Sequence, residues 1–154
     1  MSDLTTNILI GVALFLMLGL SMVLQLFRTR RAPLGRVVGI LSNVIKNEKF
    51  VENFSFHRSM GKLKSGAWKK NKDKINFLPQ DIRTGLSRLF EMVEEANERI
   101  DAAIKYKSDS YMAGIDISKL REPLAMSKEQ LQEWVQVNMN NPEYLPKKRS
   151  LFHR

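Results

Sequence analysis

The chain has no cysteine. Disulfides, thiolate metal sites and cysteine nucleophiles are therefore excluded. Histidine is nearly as scarce: His57 and His153 lie far apart in sequence. No His pairs with a carboxylate at metal-ligand spacing, and no nucleophile–base constellation can be assembled, so the sequence reads as non-enzymatic, with no cofactor and no metal. No stretch alternates apolar and polar residues over a useful strand length, and no internal repeat is visible. A phosphate-binding loop ending at Gly61-Lys62 would need Gly at position 56 and Ser or Thr at 63; Phe56 and Leu63 stand there.

One further absence organises the chain. Residues 8–27, Ile8 to Phe27, carry no charge. At about 1.5 Å rise per residue, such a helix matches a hydrocarbon core roughly 30 Å thick. Residues 1–7 contain no Lys or Arg, and the run ends in Gln25-Leu26-Phe27-Arg28 rather than in a small-residue cleavage pattern. A signal peptide begins with a basic region and a shorter apolar core, so the expectation is an uncleaved transmembrane helix. Arg28, Arg30 and Arg31 follow it, and the positive-inside rule puts the N-terminus outside and the C-terminal region in the cytoplasm. Gly11 and Gly19 lie eight apart, which is not a GxxxG seam.

What remains is basic. The 154 residues include 25 Lys and Arg against 16 Asp and Glu, a formal charge of +9. Such a surplus suits an anionic partner: lipid head groups, nucleic acid or an acidic protein.

Residues 28–52 form a basic collar and a juxtamembrane amphipathic helix. Pro33 marks its start, and Leu34, Val37, Val38, Leu41, Val44 and Ile45 fall on one face. That face would lie among acyl chains or pack as core; core packing is favoured, because the later helices need a partner. Residues 53–77 show little periodicity and read as a long basic loop, with Lys62, Lys64, Lys69, Lys70, Lys72 and Lys74 around Trp68. Together with Arg28, Arg30 and Arg31 these are the candidate anionic-surface contacts: lysines for charge, Trp68 for the membrane interface. The same composition suits phosphate contact and base stacking in nucleic acid.

Residues 78–140 are read as helical. Ile82, Leu86, Leu89, Val93, Ala96, Ile100 and Ala103 alternate at four and three, widened by Phe90 and Ile104 and interrupted by Asn97. This heptad-like stripe is too broad for a two-stranded coiled coil and predicts a small bundle or helical hairpin. Glu91, Glu94, Glu95, Glu98 and Asp101 lie off it, as a solvated acidic face. Gly114 is expected to cap this helix. Ser127, with Gln130 and a Met126–Leu131 staple, is expected to start the next, whose face is Leu131, Trp134 and Val135. Ile82, Leu86, Leu89, Val93, Ile100, Leu131, Trp134 and Val135 are thus the helix-packing candidates. Residues 141–154 read as an extended basic tail carrying Lys147-Lys148-Arg149.

The fold class expected is therefore all-α: one transmembrane helix, then a small cytoplasmic helical bundle with a long basic loop. The expected role is a membrane-anchored accessory or scaffold protein, with membrane lipids and a protein partner or a second copy as its contacts. The alternative is a membrane-tethered nucleic-acid binder, although no recognised nucleic-acid-binding motif is present.

Overall fold

The computed structural model describes residues 32–54, 61–107 and 114–146. All regular structure among them is helical. The order is α1 (Pro33–Glu52), α2 (Gly66–Asn71), a 3-10 turn at Lys72–Lys74, α3 (Gln80–Tyr106), a second 3-10 turn at Ser118–Leu120, and α4 (Arg121–Asn138). No helix among the described residues is long and apolar enough to cross a membrane. The apolar run 8–27 and the collar residues Arg28, Arg30 and Arg31 lie outside the described residues.

Four chain segments run up and down beside one another. α1 and α4 are antiparallel, since Leu34 at the start of α1 meets Tyr144 beyond the end of α4, while Glu48 late in α1 meets Lys128 early in α4. The segment 61–77 returns along α1, from Lys64 beside Asn47 to Lys74 beside Arg36. It also runs antiparallel to α3, from Lys62 at Asp101 to Trp68 at Phe90. The topology is that of an up-down-up-down bundle in which the second helix is replaced by an extended stretch, one short helix and a 3-10 turn.

The core is continuous. Val37, Ile40, Val44 and Val51 of α1 meet Leu86, Leu89, Phe90 and Val93 of α3, and Leu124, Leu131 and Trp134 of α4. Leu63, Ile75 and Leu78 of the intervening segment join them, each at most 3% exposed. α4 packs most extensively on α1. Pro33 is the first residue of α1, where its missing N–H costs nothing.

Several boundaries and faces differ from the sequence expectation. On α1 the buried positions are Val37, Ile40, Val44, Asn47 and Val51, whereas Val38 is exposed. The helix carries apolar residues around more than one face, and the buried one is rotated by roughly a quarter turn from the expected stripe. Asn47 faces inward because the backbone of residue 64 gives it partners. The end of α3 is Tyr106, followed by Lys107 in the left-handed region at φ 49°, not by Gly114. α4 starts six residues before Ser127. Its apolar stripe begins at Ile117 and runs through Leu120, Leu124, Ser127, Leu131 and Trp134, alternating three and four, so Ser127 is buried inside the helix and Met126 is exposed. The lead-in is held by Asp116, whose carboxylate accepts from the Ser118 amide and hydroxyl. These bonds keep the Asp116 carboxyl below its ordinary pKa. Pro123 falls in the first turn of α4, where its ring is tolerated.

Candidate functional site

The basic segment was expected as a loop; instead it is a fastened part of the bundle. An extended backbone laid between two helices has no helical or sheet ladder to satisfy its polar groups, and burying them unpaired is costly. Three asparagines solve this. Asn47, fully buried, accepts from the Lys64 amide and donates to the Lys64 carbonyl. Asn97 of α3 does the same for Leu63, at 2.9 and 3.1 Å. Asn43 accepts from the Ala67 amide at 2.9 Å. A primary amide carries both a donor and an acceptor on one plane, so it pairs with a peptide group much as a neighbouring strand would. At Gly39 a Cβ would lie 3.6 Å from the Ala67 Cβ, so α1 and α2 approach with only small residues between them.

This fastening changes the standing of the basic residues. Trp68 stacks on Phe90, with ring centroids 5.0 Å apart and planes 6° from parallel. It is half-buried and packed against the core. Lys62 pairs with Asp101 and Lys69 with Glu94, both at 2.6 Å. The Lys69 ammonium, hydrogen-bonded to Glu94, holds that carboxyl below its ordinary value of 4.5. Lys64, Lys70, Lys72 and Lys74 are exposed, and the Lys74 carbonyl accepts from Arg36 at 3.0 Å. The segment's cations thus divide into two that close onto the acidic face of α3 and four that point to solvent.

The helix-packing candidates come together more fully. Ile82, Leu86, Leu89, Val93, Leu131 and Trp134 are buried in one cluster, with Val135 half-buried against it. Ile100 is buried too, together with Ala103, but stands outside the cluster shared with α1 and α4.

Sequence reasoning missed two features besides the asparagines. Lys128 reaches both carboxylate oxygens of Glu48, at 2.6 and 2.7 Å, joining α4 to α1. At the opposite end, Phe77, Trp134 and Tyr144 pack as three mutually tilted rings with centroids 5.2 to 5.6 Å apart. Tyr144 was expected in an extended tail. Turns at Asn141 and Tyr144 fold it back, and its carbonyl accepts from the Leu34 amide at 3.1 Å. That amide is one of the first-turn donors that a helix leaves open. The signal for this was the aromatic spacing across the Asn140-Asn141-Pro142 turn.

An open groove lies between α3 and α4, lined by Gly85, Leu89, Met92, Pro123, Met126 and Gln130 among others. Met126, Val137 and Met139 expose apolar surface on α4 and just after it. Among the described residues no group of three His, Asp or Glu side chains could hold a metal ion. Comparison with protein-family models, curated proteins and solved structures gives no match for this chain.

Proposed function

We propose that this chain is a membrane-anchored accessory or scaffold protein. The apolar run 8–27 crosses the bilayer once and holds the helical bundle on the cytoplasmic side. The observation that carries this reading is the uncharged run itself, followed by Arg28, Arg30 and Arg31 and preceded by no Lys or Arg. Exposed Met126, which lines the groove between α3 and α4, and exposed Val137 and Met139 farther along are the apolar surface a protein partner would cover. The nucleic-acid alternative is weaker than composition suggests, because Trp68 stacks on Phe90 rather than standing open as a platform for a base.

Two measurements test the proposal. Proteolysis of sealed cells should spare the bundle from outside; removal of the C-terminal tail by external protease would reverse the topology. After extraction in mild detergent, the chain should run as a defined complex with a partner or with itself. A monomer carrying lipid alone would contradict a scaffold role.

A further inference from the structure

We propose that the bundle lies on its side against the bilayer, with the seam between α1 and the segment 61–77 resting on anionic lipid head groups. This orientation rests on the membrane-span reading and adds to it a surface and a lipid class.

Six described cations line the seam. Arg36, Lys46 and Lys49 come from α1, and Lys64, Lys70 and Lys74 from the segment. The five lysines are exposed. Arg36 donates to the Lys74 carbonyl, which leaves its charge uncancelled. Among the described residues none of the six stands in an ion pair. Glu48 of α1 is turned away to Lys128. Asp73 and Glu52 are the remaining acids of the two elements, so the seam is strongly net positive. It is also fixed in shape. The asparagine bonds hold Lys64 beside Asn47 and Ala67 beside Asn43. Lys46 follows Asn43 by one turn, and Lys49 lies one turn further, at the solvent edge.

The opposite side carries the opposite charge. α2 packs on α1, and α4 packs on both α1 and α3, while Trp68 sets the segment against α3. The seam and the groove between α3 and α4 therefore lie across the bundle from each other. Beyond the groove, Glu122, Glu129 and Glu133 form one exposed row on α4. Glu91 and Glu98 are exposed on α3. Between the two sides, Lys62 and Lys69 are cancelled by Asp101 and Glu94. An anionic surface attracts the seam and repels the far side, with a force that fades over about 8 Å at physiological salt. From Arg36 to Lys49 the row is about 20 Å long. Only a bundle lying on its side brings all of it within that range.

Two features favour lipid over other polyanions. Val38, 46% exposed, and half-buried Ile45 lie seven residues apart on one outward strip of α1, and neither belongs to the core cluster. An apolar strip flanked by lysines suits the head-group boundary. Among the described residues no exposed aromatic ring stands on the seam to stack a base. On the span reading, five residues join Phe27 to Pro33, a reach of about 20 Å, so α1 starts close to the bilayer. The groove between α3 and α4 is then left open to the partner.

The absence of cysteine makes the test simple, because a single introduced thiol labels one site. Full-length Gly66→Cys reports the seam; a Cβ there meets nothing within 4 Å. Full-length Glu133→Cys reports the far side. The pairs Asn43–Ala67 and Glu48–Lys128 put the two labels at about the same height along the bundle, so a bundle standing on end would treat them alike. Each carries a fluorophore in vesicles of phosphatidylcholine, alone or mixed with phosphatidylserine, containing a head-group spin-labelled quencher. The seam label should be quenched severalfold more than the far label in the mixed vesicles. That difference should shrink in neutral vesicles, with added salt, and in Lys46→Glu with Lys70→Glu. It should persist in Arg88→Glu with Lys105→Glu, which changes the net charge equally on α3. Equal quenching of both labels, a difference indifferent to lipid charge, or equal effects of the two double variants would overturn the proposal. A larger response of the seam label to RNA than to anionic vesicles at matched phosphate would overturn the lipid assignment, as would a response that follows protein density and points to the acidic side of a second copy. An alkaline wash judges the span separately. A chain that washes off yet keeps the charge-dependent difference loses the span and retains the surface; a chain that stays, with both labels quenched alike, does the reverse.

Discussion

α3 and the segment 61–77 both line the same core, but they are held there by different chemistry. α3 is a 27-residue helix whose own backbone is satisfied within it, so its contribution reduces to an apolar stripe. The segment 61–77 contributes Leu63 and Ile75, with Leu78 just beyond it, at irregular spacing. Its backbone depends on side chains from other elements: Asn43 and Asn47 from α1, and Asn97 from α3. A helix can be recognised from its own residues, whereas a fastened extended segment is specified by residues elsewhere in the chain.

The largest expected effect lies on the helical side of this comparison. Val93 has no exposed surface. Val93→Asp would bury an unpaired carboxylate and should cost several kcal/mol, enough to remove cooperative thermal unfolding. Unchanged unfolding would mean that the stripe of α3 is not core.

Next comes the fastening. Asn47→Leu fills similar space but leaves the Lys64 amide and carbonyl without partners. It should destabilise by about 2 to 3 kcal/mol in denaturant titration. A neutral result would show that the segment does not need the amide, and the contrast with α3 would fall.

Trp68→Ala removes a half-buried ring stacked on Phe90 and should cost about 1 to 2 kcal/mol, below the range for fully buried aromatics. In a Trp134→Phe background, Trp68 emission should already be blue-shifted without lipid. A water-like spectrum that shifts on adding vesicles would return Trp68 to the membrane.

The smallest effect belongs to the Lys69–Glu94 pair, whose side chains are 59% and 38% exposed. Because the Glu94 pKa is lowered in the fold, its stabilisation is present above the unfolded carboxyl value and is lost as pH falls through the lower folded one. Solvent screening keeps it under about 1 kcal/mol. Glu94→Gln should therefore narrow the stability difference between neutral pH and pH below 4.5 only slightly. A large change would mark the pair as a main fastener.

How much was readable follows the same division. The stripe from Ile82 to Val93 and the positions Leu131 and Trp134 were legible, because helical periodicity exposes them. The continuation of α4 back to Leu120 was legible in principle, since Ile117, Leu120 and Leu124 extend the spacing. The Ser127 capping pattern masked it, because a capping box and a helix interior can share the same local residues. The face of α1 was misplaced because apolar residues surround much of that helix, and periodicity cannot choose among overlapping stripes. Asn97 was visible as an interruption in an apolar stripe, but its partner lies 34 residues away. The Lys62–Asp101 and Lys69–Glu94 pairs are likewise long-range, so the lysines read as an unpaired basic run.

The central structural claim is that the segment 61–77 is a fastened member of the bundle and not a loop held open for a ligand. Amide hydrogen exchange at Leu63, Lys64 and Ala67 tests it most directly, because each of these amides donates to an asparagine side chain. The account predicts protection comparable to the core of α3, with Lys64 losing it in Asn47→Leu while the amides around Val93 keep theirs. Exchange of these three amides at the rate of an open loop in the unaltered chain would contradict it.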